Sequence, residues 1–126
     1  MSDEIKNAAN DLYDALKALE GTTGLRVYRD IAGPGAAIQP PAVVLSAPRF
    51  AWQTGCVGAP TDARWLVYVI AAAGERALEV LWGYLPAVAE AIDSVPSAAV
   101  IQADPGAYQA SSAELPCYEI QVDVGL

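Results

Sequence analysis

At 126 residues the chain is long enough for one domain that buries roughly two thirds of its unfolded surface, without a metal or disulfide staple. Fifteen carboxylates against seven Lys and Arg give a formal net charge of -8, and the cations are scattered, which argues against unaided binding to DNA or RNA. With no histidine, Ser-His-Asp and Cys-His nucleophile systems, His-ligated zinc and histidine general bases are excluded.

The start, Met1-Ser2-Asp3-Glu4, is acidic where a secretory signal would be basic. The longest uncharged apolar run, Trp65 to Ala73, is about half of the ~20 residues a membrane-spanning helix needs. A soluble chain with Cys56 and Cys117 as reduced thiols is expected, with no membrane partner. Asp3 to Glu20 reads as an amphipathic helix: Ser2 can cap it, Asp3 and Glu4 suit its positive end, Ile5, Ala8, Leu12, Leu16 and Leu19 form one stripe, and Gly21 stops it. Leu25 to Arg29 has strand character.

From Asp30 to Pro41 the Gly33-Pro34-Gly35 and Pro40-Pro41 runs predict a long loop, of the kind that makes contacts in small domains. Gly33-Pro34-Gly35 has the first spacing of a phosphate-cradling loop, but the third glycine position is Ile38 and Pro34 lacks an amide donor, so an ordinary turn is expected. Ala42 to Ser46 is an apolar strand, which Pro48 places near an edge or ends. Phe50 to Pro60 reads as a glycine-punctuated loop carrying Phe50, Trp52, Cys56 and Val57, more apolar surface than a loop holds uncovered.

Arg64 to Ala73 is the central strand, with Trp65, Val67 and Val69 on one face and Leu66, Tyr68 and Ile70 on the other. Both faces are apolar and need cover. Glu75 to Asp93 is the main helix, with Leu78, Leu81, Leu85, Val88 and Ile92 as its buried stripe, a kink at Pro86, and Trp82 and Tyr84 off the stripe. Ala98 to Ala103 and Ala107 to Ser111 flank the turn tripeptide Asp104-Pro105-Gly106 as a short hairpin. Tyr118 to Val124 alternates strictly, an antiparallel strand with Ile120, Val122 and Val124 inward. An α+β domain over residues 1–126 with a mainly antiparallel sheet fits this order.

No catalytic, metal or cofactor constellation is expected. Glu75 with Glu79, and Glu90 with Asp93, read as solvated helix ends rather than cation sites. Asp62, Arg64, Glu114 and Glu119 form a polar cluster only if the last strand pairs beside the central one. Trp52, Trp65, Trp82 and Tyr84 are expected in core or subunit contacts rather than ligand stacking. The central strand, the main helix and the Phe50 to Val57 segment carry more apolar surface than the N-terminal helix can cover, which predicts self-association.

The N-terminal helix, the strand led in by Gln39-Pro40-Pro41-Ala42-Val43-Val44-Leu45, the long strand feeding one main helix, and the late Asp104-Pro105-Gly106-Ala107-Tyr108 and Glu114-Leu115-Pro116-Cys117-Tyr118-Glu119-Ile120-Gln121-Val122 together give a layout that resembles the tail terminator proteins of long-tailed bacteriophages, the minor tail or head-tail joining proteins. The resemblance spans nearly the whole chain. It implies a structural virion protein rather than an enzyme, made in the host cytoplasm, forming a hexameric ring at the head-proximal end of the tail. Its partners would be its own copies, the tail tube protein and a head-neck connector protein, with genomic DNA only as passing cargo. Ile38, Gln39, Trp52, Cys56 and Val57 are the expected intersubunit or tail-tube contacts. A neck connector of similar fold is the adjacent alternative. From another class, the alternative is a small cytosolic ligand-binding domain using Tyr28, Tyr68 or Asp62 in a cleft.

Overall fold

The structure, a computed structural model, describes residues 2–29, 38–52, 58, 60–110 and 113–125. Among these, helix α1 (Ser2–Lys17) and the short α2 (Leu19–Thr23) precede strands β1 (Arg26–Arg29), β2 (Ala42–Leu45), β3 (Arg49–Ala51) and β4 (Asp62–Ile70). Helix α3 (Ala77–Asp93) then leads to two long strands, β5 (Ala98–Ala110) and β6 (Ala113–Gly125). The result is an α+β fold with one mixed sheet ordered β1-β2-β4-β6-β5, in which β3 also pairs with β4. β1 and β2 are parallel, and the other pairings are antiparallel.

Helical character runs past the expected stop at Gly21 and ends at Gly24, whose φ of 78° is the left-handed conformation that closes a helix. There Thr23 Oγ1 donates to the Leu19 carbonyl at 2.7 Å. α1 buries Ala8, Leu12 and Leu16, and Arg29 ties β1 to it by donating to Asn10 Oδ1 at 2.8 Å and stacking over Tyr13.

β4 is the axis of the sheet. Its register with β6 runs from Asp62 opposite Gly125 to Ile70 opposite Cys117. Trp65, Val67 and Val69 therefore sit beside Ile120, Val122 and Val124 on one face, all buried under α1 and α3. The other edge of β4 is shared by β2 and β3 in succession. Between them Ser46 bridges the gap: its amide donates to the Leu66 carbonyl at 3.0 Å, and its hydroxyl accepts from the Leu66 amide at 3.2 Å. Part of the expected Phe50 to Pro60 loop is thus a strand, while 53–57 and 59 lie outside the described residues.

The Asp104-Pro105-Gly106 tripeptide does not turn. β5 passes straight through it, with Pro105 opposite Tyr118 and Gly106 opposite Cys117. β5 is an edge strand bonded on one side only, where a residue without an amide donor is tolerated, and β6 offers a partner along its whole length. The reversal falls instead between Ala110 and Ala113. α3 starts at Ala77 rather than Glu75, and Leu78 is not in its buried stripe. Ala77, Leu81, Val88 and Ile92 share a meridian that Leu78 misses by roughly 60° at about 100° per residue, and Leu85 is half-buried. The helix is continuous through Pro86.

Among the described residues, no helix covers the second sheet face. Its upper half is a small cluster of Ile38, Ala42, Val44, Ile70 and Cys117, edged by Tyr28, Tyr68, Tyr108 and Leu115. At the β1 edge the Val27 amide donates to Glu20 Oε2 at 2.9 Å, so a carboxylate occupies the position an added strand would take. That bond, then the Lys17 ammonium, lowers the Glu20 pKa. A carboxyl with a depressed folded pKa stabilises fully above its unfolded value of about 4.3 and loses that contribution as pH falls through the folded value. Glu20→Gln should therefore unfold slightly more easily than wild type at pH 7, with the gap closing in acid, as read by urea denaturation at the two pH values.

Candidate subunit interface

Among the described residues six large apolar side chains are exposed: Trp82 at 54%, Trp52 51%, Ile101 48%, Leu78 47%, Val80 45% and Phe50 36%. Val80 lines a shallow pocket with Pro41, Ala71 and Tyr84, and the other five form two groups on opposite flanks of the sheet. Leu78 and Trp82, one turn apart on α3, face the β6-β5 side, where Trp82 Nε1 donates to the Tyr118 hydroxyl at 2.8 Å. Ile101 lies on the same flank, at the irregularity where β5 slips its register against β6. On the far flank, Phe50 in β3 and Trp52 just after it are exposed, and Trp52 Nε1 donates to the Gly58 carbonyl at 2.8 Å.

The expected contact residues separate accordingly. Trp52 is exposed on the β3 flank. Ile38 is buried at 9% in the second-face cluster, and the exposed Gln39 has its amide donating to the Tyr28 hydroxyl at 3.3 Å. Ile38 and Gln39 are thus held against the second sheet face of their own subunit, just before β2. Cys56 and Val57 lie outside the described residues. Leu78 and Ile101 had no counterpart in the sequence reading: one was assigned to the core, and the other belongs to a bulge that pattern cannot reveal.

The polar residues are arranged in strand order. β4 and β6 do pair, but Arg64 meets Asp123, with Nε to Oδ1 at 2.7 Å and Nη2 to Oδ2 at 3.2 Å. Glu114 sits opposite Gln109, far along the hairpin. A cleft of about 540 Å³ on the open face is lined by Ser46, Arg49, Arg64, Leu66, Glu119 and Gln121, among others. Glu75 precedes α3 in a turn, and Glu79, Glu90 and Asp93 are exposed. Among the described residues, no polar or charged side chain is buried, no group of three carboxylates or thiols could hold a metal, and no helix is long and apolar enough to cross a membrane.

Cys117 is the one thiol described, and it is buried. Burial, then the nearby Glu119 carboxylate, pushes it up to about 11. Tyr68 and Tyr108 pack edge to face at 5.2 Å beside it, both raised by burial, and Gly106 leaves 4.0 Å between its would-be Cβ and the Cys117 sulfur. At pH 8 roughly one Cys117 in a thousand is thiolate. In a Cys56→Ser background, iodoacetamide should label Cys117 only after denaturation; rapid labelling of the folded protein would contradict this placement. No family model matches the chain, and no curated protein does.

Proposed function

We propose that the chain is a structural assembly subunit, a tail terminator of the kind found in long-tailed bacteriophages, whose copies close into a ring that caps the tail tube and joins it to the head. The observation that carries this reading is the pair of apolar patches on opposite flanks of one sheet, Phe50 with Trp52 and Leu78 with Trp82 and Ile101. A closed ring needs two different, complementary surfaces per copy, unlike the single self-complementary surface of a twofold dimer. The hexameric count, the tube and neck partners and the virion location rest on the resemblance in chain layout. The net charge of -8 suits a passage for DNA, since a carboxylate-rich wall does not retain phosphates.

A second reading draws on the cleft beside Arg49 and Arg64, whose volume is that of a small-molecule site. It would make the protein a ligand-binding domain. Particle shape separates the two: negative-stain images should show rings with a central hole, and compact particles without one would favour the second. Trp52→Ala should weaken association about tenfold or more, as hot-spot tryptophans do, while secondary structure is retained. Unchanged association with a large drop in melting temperature would make Trp52 an intrasubunit packing residue instead.

A further inference from the structure

On the open face, two pairs of like charges sit directly opposite one another across neighbouring strands. Arg49 of β3 is in register with Arg64 of β4, and Asp104 of β5 is in register with Glu119 of β6. Like charges in such positions destabilise a sheet. Arg64 is relieved by Asp123, whereas among the described residues Arg49 has no anionic partner and neither Asp104 nor Glu119 has a cationic one. Asp104 accepts only the Gln102 side-chain amide, at 2.7 Å. Arg49 lies on the β3 flank and Asp104 on the opposite, β5 flank, while Arg64 and Glu119 stand between them on the adjacent central strands β4 and β6.

We infer that the β3 flank of one copy docks on the β5 flank of the next, with Arg49 reaching the Asp104 carboxylate. The inference rests on the ring reading and names its joint. Strand directions agree: β3 is antiparallel to β4, and β5 is parallel to it through β6. Copies related by rotation about an axis along the strands keep those directions, so β3 arrives antiparallel to β5. Faces agree as well. Arg49 and Asp104 share the open face through their register with Arg64 and Glu119. Phe50, opposite the buried Ala63, shares the helix face with Leu78 and Trp82, so the apolar patches meet as the charges do.

β1 lies on the same flank as β3, and its Val27 amide is already taken by Glu20, so strand addition at β1 does not compete. The β5 edge itself is broken by Pro105, which has no donor, and by the irregularity between Val100 and Gln102. Those breaks blunt indiscriminate strand addition and leave side chains to select the partner.

The test is sedimentation velocity and native mass spectrometry on wild type, Arg49→Asp, Asp104→Arg and the double swap in one chain. Each single substitution puts like charges across the joint and should weaken association at least about tenfold, and the double swap should restore it. Each single substitution also relieves a repulsion inside the subunit, so melting of the dissociated chain should be unchanged or raised, which a residue holding the fold would not show. Rings that ignore both single substitutions would overturn this joint and leave the ring reading standing. A wild type that is monomeric at micromolar concentration would overturn both.

Discussion

The pairing of β4 with β6 sets what every other element can do. Nine residues in register bring Trp65, Val67 and Val69 beside Ile120, Val122 and Val124, a greasy strip that has to be roofed. α1 and α3 roof it, and nothing else in the described chain is free to help. Two helices lying side by side cover a strip roughly 20 Å wide, at about 10 Å each, whereas five strands in order at about 4.8 Å spacing span roughly the same distance without margin. The outer flank of α3 and the short β3 therefore fall at the rim of the covered area. Leu78 and Trp82 are exposed for that reason, and so are Phe50 and Trp52.

The rim is also where the charges are least well matched. A cross-strand register that suits the core leaves Arg49 facing Arg64 and Asp104 facing Glu119. One arginine is quenched by Asp123 within the subunit. Among the described residues the other members have no oppositely charged ion-pair partner, a modest cost in the isolated chain. Edge protection follows the same division. Glu20 closes the β1 edge, and Pro105 with the β5 irregularity roughens the opposite one, which discourages indiscriminate strand addition at both.

Much of this was legible in the residues. The strict alternation of β6 and the two-faced run of β4 identified the central strands, because a period of two has no other stable use there. The α1 stripe held because Ala8, Leu12 and Leu16 repeat at helical spacing. Failures came where a local signal was outweighed by pairing. Asp104-Pro105-Gly106 has turn chemistry, yet a strand bonded on one side tolerates it. Leu78 has core chemistry, yet Ala77 takes its place because the helix axis is set by Leu81, Val88 and Ile92. Trp52 was recognisable as a bulky apolar residue in a short, glycine-flanked segment, and the structure leaves it exposed. Ile38 was not recognisable as packing, since its place beside Ala42, Val44 and Ile70 on the second face is set by tertiary structure and not by local pattern.

Contact between opposite flanks is the central claim, and covalent trapping tests it most directly. Cysteines introduced by Arg49→Cys and Asp104→Cys, in a Cys56→Ser background, would be joined with a short bismaleimide and resolved on a denaturing gel. Head-to-tail closure predicts a ladder that climbs through trimer and beyond to a covalently closed ring. Products that stop at dimer, or no cross-link at all, would contradict it.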